Sequence, residues 1–168
     1  EFRRVLFRSY VIFLQGNPFD HSPNIISNLN NYVNNKELNI DFEFLSERIL
    51  NCNLKGCPYH QGLPLIETYE KIFGQRNENM DFLFGAGAQF IVSKKQIHIR
   101  PRDFYLKVIG ILEYSINPIE GFVIERFHGL IFSDKIIYED DKMEKEYGQY
   151  LYNAEYDIYE CVDGKRVV

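Results

Sequence analysis

The sequence predicts an α/β domain in which a layered sheet is flanked by helices. Short aromatic runs of the kind found in buried strands alternate with segments whose apolar residues recur at helical spacing. The chain of 168 residues is 45% hydrophobic and 15% aromatic, which is enough apolar material for one core. Both observations favour a single layered domain.

The strand predictions rest on short apolar runs bounded by chain breakers. Residues 10–14 (YVIFL) form a continuous apolar run, which predicts a buried central strand. The run at 89–92 is equally apolar, so the two strands are expected to lie side by side inside the sheet. Two further strands are predicted at 42–45 and 81–84. Residues 51–64 are predicted to be a loop because glycines and prolines interrupt them.

Helices are predicted where apolar residues recur at helical spacing next to start or stop signals. Ser22 is expected to cap a helix that Pro23 opens, and Ser93 to cap a short helical turn. Gly74 is expected to end a helix over 65–73. The remaining predictions are a helix that Pro101 opens, helices at 119–132 and about 141–152, and a terminal hairpin at 163–164.

Three segments are distinguished along the chain. Residues 1–9 (EFRRVLFRS) resemble the translated end of a sequencing adapter, so the natural protein is expected to be truncated at its N-terminus. Residues 10–133 are predicted to be the C-terminal part of a single α/β domain. Residues 134–168 form an acidic, tyrosine-rich extension.

Composition and charge exclude several classes of protein. The chain has 19 basic and 24 acidic residues, whereas a protein that binds nucleic acid through its phosphates usually has a basic surplus. No apolar run approaches the ~20 residues of a transmembrane helix. Three cysteines do not form a paired disulfide framework, which favours a reducing, cytoplasmic location.

The loop after the first predicted strand, FLQGNPFDH, is the first candidate site. Ligands of open α/β sheets bind where strands end. There Gln15 and Asn17 offer hydrogen bonds to a sugar or a nucleotide, and Asp20 and His21 are candidate ligands for a divalent metal. The alternative is structural: Asp20 caps the following helix and His21 is simply exposed.

Two other motifs carry chemistry less directly. Cys52, Cys57 and His60 have spacing similar to a zinc knuckle, but the fourth ligand is absent, so a loop with two free thiols is the preferred interpretation. The stretch GAGAQF around Gly87 permits close approach of the backbone to a ligand or to another element. It is not a phosphate-binding loop, because no lysine followed by Ser or Thr belongs to it.

The sequence ERFH places Glu125 and His128 on one edge of a predicted helix. A glutamate at the rim of a pocket serves as a general base when burial tunes its pKa. The alternative is a surface ion pair between Glu125 and Arg126 or Arg102, which contributes little to stability.

Taken in order, FLQGNPFDH, Gly56 to Pro64, GAGAQFIVSKKQI, RPRDFY and ERFHGLIF resemble the C-terminal part of a domain-of-unknown-function family. That family is in turn similar to GT-A nucleotide-sugar glycosyltransferases. The resemblance covers 10–133 and implies a nucleotide-sugar donor, a glycan acceptor and a divalent metal, Mn or Mg.

By that resemblance, the roles of individual residues follow. Glu125 takes the role of base, His128 that of a late metal ligand, and Gly87, Ala88 and Gln89 line the sugar. Arg102 in RPRDFY is a further substrate-binding candidate. The Asp-x-Asp motif of the metal-dependent enzymes does not follow the first strand.

Two hypotheses of different class remain open. In the first, the chain is a fragment of a glycosyltransferase-like enzyme. In the second, it is a carbohydrate- or partner-binding α/β domain without turnover, in which the same polar residues only recognise a ligand. A strand with a Gly-Arg-Glu or Asp-rich element upstream of residue 10 would favour the enzyme.

Overall fold

A computed structural model describes residues 9–35 and 38–134, together with the backbone of two later strands. No helix in the described part of the chain is long and apolar enough to cross a membrane. The elements in chain order are β1 (Tyr10–Phe13), α1 (Ile25–Asn34), β2 (Phe42–Phe44), β3 (Ile49–Asn53), α2 (Leu65–Phe73), β4 (Asp81–Gly85), β5 (Phe90–Ser93), α3 (Lys94–Ile97), α4 (Arg102–Leu112), α5 (Glu120–Ile131), β6 (Tyr150–Asn153) and β7 (Ile158–Cys161).

The strands form small antiparallel sheets, and the first of them has the order β1-β5-β2. Its central strand β5 is buried along its whole length, and Phe90 lies opposite both Phe13 and Phe44. β3 pairs with β4 in a second sheet, and β6 pairs with β7 in a third. Helices and antiparallel sheets together agree with the predicted α/β class at this coarse level.

The prediction that residues 10–14 form a central strand is wrong. β1 does pair with β5, as expected, but it lies at the edge of the sheet. Ile12 is 37% exposed and Phe13 43% exposed. An apolar run indicates that a strand packs against something, but it carries no information on how many strands flank it. β5 takes the centre because β1 and β2 pair with its two sides.

Several element boundaries also differ from the sequence predictions. α1 begins at Ile25, and Ser22 does not cap it: its buried hydroxyl donates to the Leu45 carbonyl at 2.7 Å. The predicted loop at 51–64 begins inside β3, where pairing with β4 overrides the weak strand propensity of the two asparagines. Ser93 does cap α3, accepting a hydrogen bond from the Gln96 amide.

The C-terminal predictions are only partly within reach of the structure. The predicted helix at 141–152 ends in a segment that the structure assigns to β6. The hairpin predicted at 163–164 and residues 1–8 lie outside the described residues.

A buried arginine joins the C-terminal end of α5 to the segment before α4. The Arg100 guanidinium donates to the carbonyls of Ile131 (3.2 Å) and Ser133 (2.6 Å), which lie at and just after the last turn of α5. It also lies over the rings of Phe73 and Phe104. The carbonyls at the end of a helix lack intrahelical partners, so these bonds cap α5 within the core.

We therefore expect Arg100→Met to lower the free energy of unfolding by about 2–4 kcal/mol, because the buried carbonyls lose charge-assisted bonds while the volume is kept. Urea unfolding measures the change. The matched control is Arg76→Met, since Arg76 is half exposed and pairs only with surface glutamates. It should change stability far less, because exposed ion pairs contribute little. Equal effects of the two substitutions would contradict the capping role.

Candidate functional site

The turn between β4 and β5 is built around glycines that tolerate no side chain. Gly87 has a φ of +88°, and a Cβ placed on it would lie 2.6 Å from a carbon of the His21 ring and 2.8 Å from Oε1 of Gln15. A Cβ on Gly85 would lie 2.5 Å from the Phe44 ring. Ala88 follows with a φ of +49°. Close approach and left-handed backbone together require this sequence of small residues.

Glu125 of α5 is the residue that holds this turn. Its Oε1 accepts a hydrogen bond from the backbone N–H of Gly87 at 2.8 Å. Its Oε2 lies 3.8 Å from the guanidinium of Arg126, and its side chain is 25% exposed. Arg126 is itself buried, so the ion pair expected as the structural alternative exists, but it is not a surface pair.

The loop after β1 contributes Gln15 and His21 to the turn, but not all of its predicted residues. Asn17 and Asp20 are exposed; Asn17 precedes the short 3-10 turn Pro18–Asp20 and Asp20 is its last residue. The Nδ1 atom of His21 is buried without a hydrogen-bond partner. The described residues thus place Gln15 and His21, rather than Asn17 and Asp20, next to the glycine turn.

Gln89 holds the loop after β1 by hydrogen bonds and does not line the cavity described below. It is fully buried, and its Nε2 donates to the Pro18 carbonyl at 3.1 Å and to the Ser22 hydroxyl at 3.3 Å. Gln89 therefore positions the 3-10 turn. Arg102 is exposed at the start of α4 and does not line that cavity either.

A cavity of about 750 Å³ lies beside the glycine turn, between β1, β5 and the helices α4 and α5. Gln15, Ala88 and His128 face it, and the remaining lining is apolar and aromatic. Phe13 and His128 both lie against the ring of Phe90, each with ring centroids 4.6 Å apart. The size and mainly apolar lining are typical of ligand pockets.

His128 is electrically neutral at ordinary pH. Burial of its ring lowers the pKa of His128 to about 4, and its buried Nδ1 has no hydrogen-bond partner. In the described segments no group of three or more His, Cys, Asp or Glu side chains is arranged to hold a metal ion. The metal-binding role of Asp20, His21 and His128 stays a prediction.

Sequence reasoning placed Arg126, the residue next to Glu125, at the surface, whereas the structure buries it. Arg126 is 2% exposed and lies over the Phe84 ring, 4.7 Å from its centroid. It donates to the Phe122 carbonyl, and its Nη2 lies 3.0 Å from Nδ1 of His60. The histidine of the Cys52–His60 motif therefore contacts the ERFH helix. The position of this basic residue within an apolar helical stripe was the sequence signal that could have indicated its burial.

Compared with protein-family models, with curated proteins and with solved structures, the chain matches none of them.

We expect Gly87→Ala to lower the free energy of unfolding by about 1–3 kcal/mol, because it forces a side chain into a left-handed conformation against His21 and Gln15. The control is Gly121→Ala in α5, where an added Cβ meets nothing within 4 Å. That variant should be more stable than the parent by about 0.5–1 kcal/mol. Chemical denaturation of both variants measures the difference, and a neutral Gly87→Ala would contradict the close packing.

The lowered pKa of His128 also gives a stability prediction. The unfolded chain binds a proton at this histidine near pH 6.5, whereas the folded chain binds it only near pH 4. The contribution of the neutral ring is therefore complete above pH 6.5 and is lost as the pH falls towards 4. We expect His128→Phe to remove roughly 3 kcal/mol of the pH dependence across this window.

Urea unfolding at pH 7.5 and at pH 4.5 measures the change in the free energy of unfolding between these pH values for the parent and for His128→Phe. The difference between the two proteins isolates His128, because both contain the same carboxylates. His98→Phe is the control, because His98 is exposed at the end of α3. Its effect on the slope of stability against pH should be smaller than that of His128→Phe, because the exposed ring of His98 stays in contact with water on folding. The same slope in His128→Phe as in the parent chain would show that the ring is not held neutral by burial.

Proposed function

We propose that the chain is part of a glycosyltransferase-like enzyme in which the glycine turn forms the floor of a site for a nucleotide-sugar donor. One observation supports this above all: Gln15 and His21 of the FLQGNPFDH loop and Glu125 of the ERFH helix all lie against Gly87. These three residues are separated from Gly87 by 38 to 72 positions in the sequence, and they meet at its backbone. The resemblance described above implies a sugar at this turn.

The chemistry follows from what each group offers. A turn without side chains lets a sugar ring approach the backbone closely. Gln15 lines the adjoining cavity, and its side-chain amide, whose Nε2 donates to the Asn17 carbonyl, has further capacity to bind a hydroxyl. Oε1 of Glu125 is held by the Gly87 amide, so Oε2, which lies 3.8 Å from the Arg126 guanidinium, is the oxygen that takes a proton from the acceptor hydroxyl. The bound oxygen fixes the direction of the other, as a general base requires. Glu125 itself does not line the cavity, so the acceptor must approach it from the side of the glycine turn.

Two features of the proposal concern cofactor and location. A requirement for Mn or Mg stays a prediction: the described residues do not fit a metal site by themselves, and no step is assigned to one here. A cytoplasmic location is consistent with Cys52 and Cys57, which are both free thiols.

We expect Glu125→Gln to reduce sugar transfer by roughly 10²-fold or more in a protein that carries this domain complete, because it removes a proton acceptor. Donor binding should persist, since the amide oxygen still accepts from Gly87. Calorimetry of this chain with uridine and guanosine diphosphate sugars, with and without Mn²⁺, measures binding. Transfer to a glycan acceptor measures turnover.

Glu120→Gln is the matched control. It makes the same change five residues earlier in the same helix, at a carboxylate bonded to the Tyr114 hydroxyl on the surface. It should alter neither binding nor transfer. Transfer at the parent rate in Glu125→Gln would overturn the role of the base.

A binding domain without turnover is the second candidate, and one observation favours it. Both carboxylate oxygens of Glu125 already have protein neighbours, Gly87 and Arg126, as a purely structural glutamate would. The mainly apolar cavity then selects a ligand with one polar end and one apolar end. In that case a ligand binds equally to the parent and Glu125→Gln proteins, and no transfer accompanies either.

A further inference from the structure

Two cysteines lie opposite each other across a tight hairpin at the end of β3. Asn53 and Gly56 exchange both backbone hydrogen bonds, at 3.1 and 2.9 Å, so they close a two-residue turn. The pair that precedes them, Cys52 and Cys57, therefore takes the non-hydrogen-bonded position of an antiparallel ladder. In regular pairing this position brings the two Cα atoms to about 4.5 Å, which is within the range of a disulfide.

The side chains agree with the backbone register. Both cysteines are free and buried, at 4% and 8% exposure. Burial raises the pKa of Cys52 to about 12, the neighbouring Cys57 thiol acts in the same direction, and the charge of Arg126 acts in the opposite direction. The backbone register and the mutual influence of the thiols both place the two side chains next to each other.

We propose that Cys52 and Cys57 are a redox-modification site. They form a reversible intramolecular disulfide by exchange with a low-molecular-weight disulfide such as oxidised glutathione. The argument for this disulfide does not rest on the proposed sugar chemistry. In a reducing compartment such a pair is oxidised only transiently, as in redox-responsive proteins.

The exchange proceeds in two displacements. The Cys57 thiolate attacks one sulfur of glutathione disulfide, and a glutathione thiolate leaves with the electron pair of the broken bond. The Cys52 thiol then loses its proton and attacks Sγ of Cys57, which releases the second glutathione. The protein loses two protons and two electrons, and glutathione disulfide is reduced to two thiols.

The order of attack follows from position. Cys57 lies in a loop whose neighbours Gly56, Pro58 and Tyr59 are all exposed. Cys52 lies within β3, paired with Phe82 of β4, and burial raises the pKa of its thiol. Cys57 is therefore the thiol that a small disulfide reaches first, and Cys52 resolves the mixed disulfide.

The modified pair would be connected to the candidate functional site. Cys57 forms a backbone bridge with His60, and His60 contacts the buried guanidinium of Arg126. Arg126 is next to Glu125, which holds the glycine turn. A covalent bond at the hairpin thus acts on the segment that supports this helix.

The test uses the full chain with Cys161→Ser, so that only two thiols remain. The folded protein is equilibrated in glutathione buffers of increasing oxidised fraction, quenched with acid, alkylated and weighed by mass spectrometry. We expect a complete change from two alkylated thiols to none, with the loss of two hydrogen atoms and no retained glutathione. Dithiothreitol should restore both thiols.

A register control makes the result specific to this geometry. Gly56→Cys combined with Cys57→Ser, in the same Cys161→Ser background, moves the thiol to the opposite face of the hairpin at a position with open space. The reaction of this variant with oxidised glutathione should stop at the mixed disulfide, because the second thiol cannot reach it. If Cys161→Ser does not fold, peptide mapping of the oxidised parent chain replaces it.

Two results would overturn the proposal. One is a folded protein whose two thiols stay alkylatable in oxidised glutathione, although the urea-unfolded chain oxidises under the same conditions. The other is a stable glutathione adduct on Cys57 with Cys52 still reduced. Either result would overturn the disulfide proposal alone. The proposed function would stand or fall by its own tests, which do not involve the thiols.

Discussion

The hydrogen bond from the Gly87 amide to Glu125 is the constraint on which the arrangement of this domain depends. The turn that it holds joins β4 of one sheet to β5 of the other, so fixing the turn fixes how the two sheets meet. Phe44 fills the same junction, between Gly85 and Gly129, where an added Cβ would lie 2.5 and 3.1 Å from its ring. Glycine on the strand and on the helix lets one aromatic ring occupy the space of two side chains.

The helices were the most predictable part of the fold, because their signals are local. α2 has the predicted bounds, since its apolar periodicity ends at Gly74, which takes the left-handed conformation of a C-cap. The position of β1 was not predictable in this way. Whether a strand lies at the centre or the edge of a sheet depends on which distant segments pair with it, and an apolar run does not encode that.

The candidate site shows the same contrast between local signals, which the sequence carries, and long-range packing, which it does not. One loop motif selected Gln15, Asn17, Asp20 and His21 together, and the fold brings only Gln15 and His21 to Gly87 and Glu125. It leaves Asn17 and Asp20 exposed, and also Arg102 of the RPRDFY motif. Gln89 was chosen as a ligand contact, yet its burial makes it a support of the loop. Side-chain chemistry identifies which residues are able to bind, whereas only tertiary packing decides which of them face the same space.

The pairing of β1 with β5 has a consequence for how the chain is made. Tyr10 lies opposite Ser93, so the partner of β1 is synthesised about eighty residues later. At ~5–20 residues per second, the apolar strand leaves the ribosome roughly 4–16 s before β5 is available to receive it. Pairing over such a separation also carries a large loop-closure cost, which slows folding. During synthesis this segment is therefore a natural substrate for chaperones that hold exposed apolar chain.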